Sequence, residues 1–463
     1  MDKSKLVSLA AAALLCGVSA PALGQAVSMR DAIAVAMDSN PDIIQAQMNT
    51  EAIQAERKQA QGLFAPRVTL DASAGARRLE NTTRRRLGIA DDWLYPLEAS
   101  LNAEWVAVDF GRRRGELLRQ AARVDGASLR VLERSQFVAL QIARQYLDIL
   151  LQQRILAASQ DNSAFHRSLV GDLSEGVRQG SISIADQQQA EERLQAALVR
   201  EQEAAEALRN AKISLRALTG LDIEQVALPD ALTSALPANE AEAVNLVRTQ
   251  NPKVLEAVAD VDATNALVKA AKGDLYPEIG VNVQGRVGED IDGFKGNAND
   301  VQARVFLRWD IFDGGINRAK VQEMVRRASE ARYRLHQVER DAEQDVRTAW
   351  NAMESQTAIV RALEKQGHVT DDLLLSYRSQ FNVGRRSLLD VLDAQNTRYN
   401  VQVRLETSRF SQMFAQYQTL ATTNLFIGAL NVSPGAGAGM KERERFHYGP
   451  PVPAELYRRV YPK

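Results

Sequence analysis

The chain is written twice, and that restricts it to folds made of two similar units packed side by side. Asp31-Ala32-Ile33 through Asn40-Pro41 recurs as Glu242-Ala243-Val244 through Asn251-Pro252, and the shift, 243 − 32 = 211, also carries Gly62 to Gly273, Pro66 to Pro277 and Val68 to Ile279. Further on the shift is 309 − 105 = 204. It takes Trp105 to Trp309, Asp109 to Asp313, Gly111 to Gly315, Gly180 to Gly384 and Asp186 to Asp390. The difference, 211 − 204, gives the first copy seven extra residues between Val68 and Trp105, so a variable loop sits there in each copy. The expected organisation is a first repeat over 27–221, a linker over 222–239 with Pro229 and Pro237, a second repeat over 240–430 and a tail over 431–463. The Gly- and Pro-rich tail reads as disordered or loosely attached.

Within each copy the apolar period changes twice. Residues 32–63 and 243–275 carry small and apolar side chains at helical spacing after an Asn-Pro start. Alternation follows, predicting strand pairs at 66–78 with 97–109 and at 277–288 with 300–312. Val68, Leu70, Ala72 and Ala74 oppose Arg67, Thr69, Asp71 and Ser73, while Val301, Ala303, Val305 and Leu307 oppose Gln302, Arg304 and Arg308. One face of each strand is thus apolar and uncharged, as a lipid-facing strand requires. Two proline-free stretches come next, 112–177 and 316–381, with small residues at alternating spacings of three and four. Each would run roughly 100 Å as a helix. No compact soluble domain needs that length. After Gly180 or Gly384 a return helix is expected, from Ser183 to about Leu218 and from Ser387 to about Asn424, with alanine-rich stripes suited to close coiled-coil neighbours.

Composition removes several function classes. Lys and Arg total 57 against 58 Asp and Glu, so there is no basic field for nucleic acid. Lys3 and Lys5, the apolar run from Leu6 to Val18, and the small residues from Ser19 to Ala26 read as a secretory signal over 1–26. The single cysteine, Cys16, falls inside it; the processed chain would have no disulfide, thiol nucleophile or thiolate metal site. His166, His336, His368 and His447 stand apart without metal-ligand or catalytic spacing, and no nucleophile elbow or Walker loop is present. Gly435, Gly437 and Gly439 imitate part of a dinucleotide loop but open no helix after a strand. No catalytic residue, cofactor or metal is expected.

Four small groups of residues invite a role. Ser183 with Asp186, and Ser387 with Asp390, fit Ser-x-x-Asp helix starts. Asp390 and Asp393, at i and i+3, share a helix face and are either surface acids or members of a charged ring. Gly180 and Gly384, beside Arg178 and Arg385, form the turns between long and return helices. Arg84-Arg85-Arg86, in the longer first-copy loop, is either a solvated loop or a contact for anionic lipid headgroups.

The Asn-Pro openings, the strand ends Trp105 to Gly111 and Trp309 to Gly315, and above all the stretch from Phe381-Asn382-Val383-Gly384-Arg385-Arg386 to Ala394-Gln395 resemble the TolC family of outer-membrane channel tunnels over about 27–430. The resemblance implies a mixed α and β membrane protein: a homotrimer with a twelve-stranded barrel in outer-membrane lipid, continuous with a twelve-helix periplasmic tunnel. Four strands per chain cannot close a membrane barrel, whose smallest bacterial single-chain form has eight, so chains must combine. The resemblance further implies that Asp390 and Asp393 form an acidic ring at the periplasmic end, and that Arg386 ties the inner hairpin to its neighbour with Asp186 as partner. The hairpin tips at Gly180, Arg178, Gly384 and Arg385 would dock a periplasmic adaptor protein. Phe381 departs from relatives that carry a tyrosine there, so one latch bond is missing. The implied function is a passive conduit fed by an inner-membrane ABC transporter or proton-driven pump, with type I protein secretion ahead of small-molecule efflux on the hairpin motif. The rival from another class is a periplasmic coiled coil without a pore.

Overall fold

The computed structural model describes residues 27–223 and 225–446. The expected signal over 1–26, with Cys16, and residues 447–463, with His447, lie outside the described residues.

Each repeat begins with two helices broken at an Asn-Pro step: α1 (Met29–Ser39) and α2 (Pro41–Gly62), then, in the second copy, α6 (Glu240–Gln250) and α7 (Pro252–Gly273). Proline fits the first helical turn because its missing N–H would have no partner there. The asparagine before it does two jobs in both copies. Asn40 accepts from the Asp42 amide at 3.0 Å and donates to the Leu218 carbonyl at 3.2 Å. Asn251 accepts from the Lys253 amide at 2.9 Å and donates to the Thr422 carbonyl at 2.8 Å. Each therefore caps one helix start and holds it against the end of a return helix.

Those return helices are α5 (Ile184–Thr219) and α9 (Leu388–Thr422), and the long helices that precede them are α4 (Arg112–Arg178) and α8 (Ile316–Asn382), 67 residues each. A shared device starts the long helices. Asp109 accepts from the amides of Gly111 and Arg113, and Asp313 from those of Gly315 and Asn317, with Gly111 at φ 95° and Gly315 at φ 93°. Positive φ favours glycine at this sharp exit from the strands.

The helices form a layer. On one side of the Asn-Pro steps α5, α4, α9 and α8 lie in that order; on the other, α2, α4, α7 and α8 do. Thus α4 and α8 run the full length, while α5 is continued by α2 and α9 by α7. Beside the layer sit α1, α6, the linker and the tail. The main core lies between them, where Ile33, Ala36 and Ile43 meet Val138, Ile142 and Tyr146. The Tyr146 hydroxyl accepts from the Ala227 amide at 2.9 Å and faces the Val27 and Ala227 carbonyls, which binds the linker to α4. A second core gathers α6, α7 and α8 around Val247, Val261 and Val346.

The four long strand segments make one antiparallel sheet in the order β1 (Arg67–Ala74), β4 (Leu97–Val108), β5 (Glu278–Glu289), β6 (Asn297–Arg308). β1 is shorter than expected. After Gly75 the chain pairs β2 (Arg77–Arg78) with β3 (Trp93–Leu94) in a separate ribbon that carries the extra residues of the first copy, including α3 (Thr82–Arg86). β6 begins and ends earlier than alternation alone indicated. Trp309 leaves the ladder and donates to the Leu275 carbonyl at 3.2 Å; Trp105, which stays paired in β4, donates to that of Phe64 at 3.0 Å.

The tail differs from its expectation wherever it is described. After the short α10 (Phe426–Ala429), residues 431–446 are fastened along α2, α4 and α7. Gly435 donates to Ser135 Oγ, and Met440 to Ser128 Oγ, both at 3.1 Å. Asp125 accepts from the amides of Glu442 and Arg443, and the Arg443 guanidinium bridges Asp125 at 2.9 Å and Asp262 at 2.7 Å. Asp125 and Asp262 are buried acids that need a counter-charge, and only the fold brings Arg443 to them.

Candidate functional site: the membrane face and the hairpin tips

Strand register decides which side chains share a face. Across the four strands Val68, Ala103, Val283 and Ala303 form one row, and Leu70, Leu101, Gly285 and Val301 the next. This apolar face is bare: Leu70 is 73% exposed, Val301 83% and Val305 77%. The opposite face carries Thr69, Asn102, Gln284 and Gln302 in one row and Asp71, Ser100, Arg286 and Asp300 in another. Some of its polar groups pair with one another. Arg286 pairs with Asp300 at 2.7 Å, Asn282 donates to Asn102 at 2.6 Å, and Arg304 to Asn282 at 3.3 Å. Strands β1 and β6 each leave one edge open. Among the described residues no helix is long and apolar enough to cross a membrane.

At the loop end of this sheet the arginine triplet divides. Arg84 is 1% exposed and donates to the carbonyls of Gly293, Ile89 and Asp92, pinning the first-copy loop onto the hairpin of the second. It is therefore withdrawn from any headgroup contact, while Arg85 is engaged by Glu80 at 2.7 Å.

At the far end of the layer the two hairpin tips are built alike. Gly180 (φ 71°) and Gly384 (φ 72°) close the long helices, and the next amides, Ser181 and Arg385, reach back to the carbonyls of Gly176 and Gln380 at 2.9 Å each. These are left-handed C-caps that satisfy carbonyls the helix leaves over. Arg178 is exposed and paired with Glu175; Arg385 is exposed. Ser183 accepts from the Asp186 amide at 3.1 Å, and Ser387 from the Asp390 amide at 3.2 Å while donating to Asp390 Oδ2 at 2.8 Å. Both serines thus cap helices, with the acids in the first turn. Asp393, one turn further along α9, is exposed, and among the described residues no ion pair engages it.

The copies diverge at one position of the tip. In the first, Ile182 packs on Gly176, where an added Cβ would stand 2.5 Å from Ile182 Cδ1, and joins Leu169 and Leu173. Its counterpart 204 residues on is Arg386. That guanidinium lies 3.9 Å from the centre of the Tyr377 ring, with Nε 3.7 Å from Asp390. Within one chain, then, Arg386 joins Tyr377 and Asp390, and among the described residues no ion pair joins it to Asp186. Phe381 packs beside them against Leu374 and Val391. Tyr377 went unread in the sequence because it lies outside the motif; its position four residues before Phe381, on the same helix face, was the available signal.

A sheet with a bare apolar face, carried on helices of some 100 Å, fits a subunit that lodges its strands in an outer membrane. The profile of the outer membrane efflux protein family matches residues 32–221 and 243–422, one segment per repeat, and the chain belongs to that family. It is a TolC-family channel of the Gram-negative outer membrane, with its helical part extending into the periplasm. Among its relatives, outer membrane efflux protein BepC of Brucella suis is 27% identical over 61% of this chain and 62% of its own length, under two thirds of that protein. Outer membrane protein TolC of Escherichia coli is 23% identical over 89% of this chain and 85% of its own. The crystal structure of the Campylobacter jejuni CmeC outer membrane channel superposes with a TM-score of 0.76 at 13% identity, covering 90% of this chain and 88% of that one, a likeness of fold.

Proposed function

We propose that three copies of the chain close into a continuous tunnel, the outer-membrane conduit of a tripartite export system. The open sheet carries this reading: an edge left unpaired in lipid costs several kcal/mol per group, so β6 of one copy must pair with β1 of the next. Two copies would give eight strands and a filled lumen, whereas three give twelve strands and leave a pore. The helical layer has matching free margins. α8 shows Val369 and Leu375, each 68% exposed, and α5 shows Ile213 at 64% and Val199 at 58%, so α8 of one copy would pack against α5 and α2 of its neighbour in a twelve-helix ring. Native mass spectrometry from detergent or lipid nanodiscs should give the trimer mass; monomers alone would overturn the reading.

In this assembly Asp390 and Asp393 form a six-carboxylate ring where the hairpins converge, and Arg386 exchanges Tyr377 and Asp390 for Asp186 to latch neighbouring hairpins. Phe381 adds no hydrogen bond to that latch. The tips around Gly180 and Gly384 receive a periplasmic adaptor, through which an inner-membrane ABC transporter or proton-driven pump feeds the tunnel. Two cargo classes fit. The tip motif from Phe381 to Asp390 favours type I protein secretion, while the name of a relative, the toluene efflux pump outer membrane protein TtgF of Pseudomonas putida, favours small molecules. Deleting the gene and comparing the secreted proteins with sensitivity to toxic small molecules separates the two.

A further inference from the structure

At the step where α9 gives way to α7, a recess of about 520 Å³ opens between α4, α7 and α8. That volume suits a drug-sized molecule. Its apolar part is Phe137, Leu140, Val338 and Ala342. Five carboxylates line it: Glu133, Glu256, Asp260, Asp341 and Asp345. Three cations, Arg130, Lys253 and Arg334, leave it formally two charges negative. Several of these are already committed. Arg130 holds Glu256 at 2.9 Å, Arg134 and Lys253 hold Glu133 at 3.0 and 3.8 Å, and Arg334 is drawn to Glu330 at 3.3 Å. Asp341 and Asp345, one turn apart on α8, have no ion pair among the described residues. Burial pushes the carboxyls of Glu256 and Asp260 above their ordinary range, against the pull of Arg130 on both and of Arg334 on Asp260, so the lasting negative charge of the recess rests on Asp341 and Asp345. A further acceptor points to a missing donor: Gln136, 6% exposed, lines the recess, and although its Nε2 donates to Asn424 at 2.8 Å, its buried Oε1 has no hydrogen-bond partner.

The recess also has a side. Glu256 and Asp260 stand two residues from Val254 and Val258, about 200° around the helix, and those valines pack in the core beneath α6. The recess therefore opens away from the layer of α1, α6 and tail. In the trimer proposed above, on which this step rests, a conduit must keep its lumen clear, so that layer lies outside and the recess faces the lumen.

We infer that each chain carries, midway along the tunnel, a binding site for organic cations with an apolar body. Carboxylates supply the attraction and the Phe137–Val338 wall supplies the contact area. An anion of the same shape is rejected.

The test compares two isosteric probes, tetraphenylphosphonium and tetraphenylborate, by isothermal titration calorimetry on the purified full-length assembly against a detergent blank. Tetraphenylphosphonium should bind, more weakly at high salt, and the borate should not. Asp341→Asn with Asp345→Asn should weaken binding roughly tenfold, and Arg334→Gln should tighten it severalfold. A gain cannot come from misfolding, so the second variant decides the matter if the first assembles poorly. Equal binding of both probes, or an affinity that neither variant moves, overturns the site. Planar-bilayer recording of the wild-type protein keeps the two readings apart: a conducting protein without phosphonium binding refutes the binding site alone, whereas a protein that forms no channel refutes the tunnel.

Discussion

His166 is 4% exposed on α4, and burial, reinforced by Arg193 and Arg200 and only partly offset by Glu192, lowers its pKa to about 4. The unfolded chain would take up a proton near the ordinary value of 6.5 while the folded chain would not. Stability contributed by this residue is therefore complete above pH 6.5 and lost as the pH falls towards 4, by roughly 3 kcal/mol in all. Thermal unfolding of wild type against His166→Gln over pH 7.5 to 4.5 should show a slope that the variant loses. At this scale the sequence was legible where a residue acts on its own neighbours. The caps at Ser183 and Ser387 follow from Ser-x-x-Asp spacing, because that bond spans three residues. Arg84 and Arg443 were illegible: their partners, Gly293 and Asp262, lie 209 and 181 residues away, and nothing local distinguishes a buried arginine from a solvated one.

The elements carry two further expectations. Arg443→Met leaves Asp262 buried without its guanidinium, whereas Asp125 keeps two backbone donors, so the variant should lose about 3 kcal/mol. Adding Asp262→Asn should recover much of it, as a double-mutant cycle on melting temperature would read; strictly additive losses would mean that the tail does not bridge α4 and α7. In the sheet, Val305→Arg places charge on the lipid face at a cost of about 2 to 4 kcal/mol near mid-membrane. Gln284→Arg enters the polar face beside residues that already carry charge, and should assemble normally in outer-membrane fractions. Equal yields would refute the register. That register was readable because alternation with a period of two assigns a face without knowing the partner strand. The ends of β1 and β6 were not, since pairing, rather than pattern, sets where a strand stops.

The whole assembly is where the gate belongs. Changing Asp390 and Asp393 together to Ala should reduce cation preference in planar bilayers, with the difference fading as salt screens the ring. Arg386→Ala removes both the Tyr377 stack and the proposed latch, and should raise conductance at every ionic strength because its effect is geometric. Unchanged selectivity in the first variant would dismiss the ring, and unchanged conductance in the second the latch. Duplication, strand alternation and two proline-free helices were all visible in the sequence, for each is a periodicity that local geometry imposes on every residue of its element. Tertiary structure alone decided that Arg386 faces Tyr377 and Asp390 where Ile182 faces Gly176, that the tail is strapped across two buried aspartates, and that a negative recess opens where α9 meets α7. The strap and the recess depend on side chains brought together from distant segments by packing, which leaves no period in the chain, while the tip contacts, though close in sequence, depend on how each turn folds back on its helix.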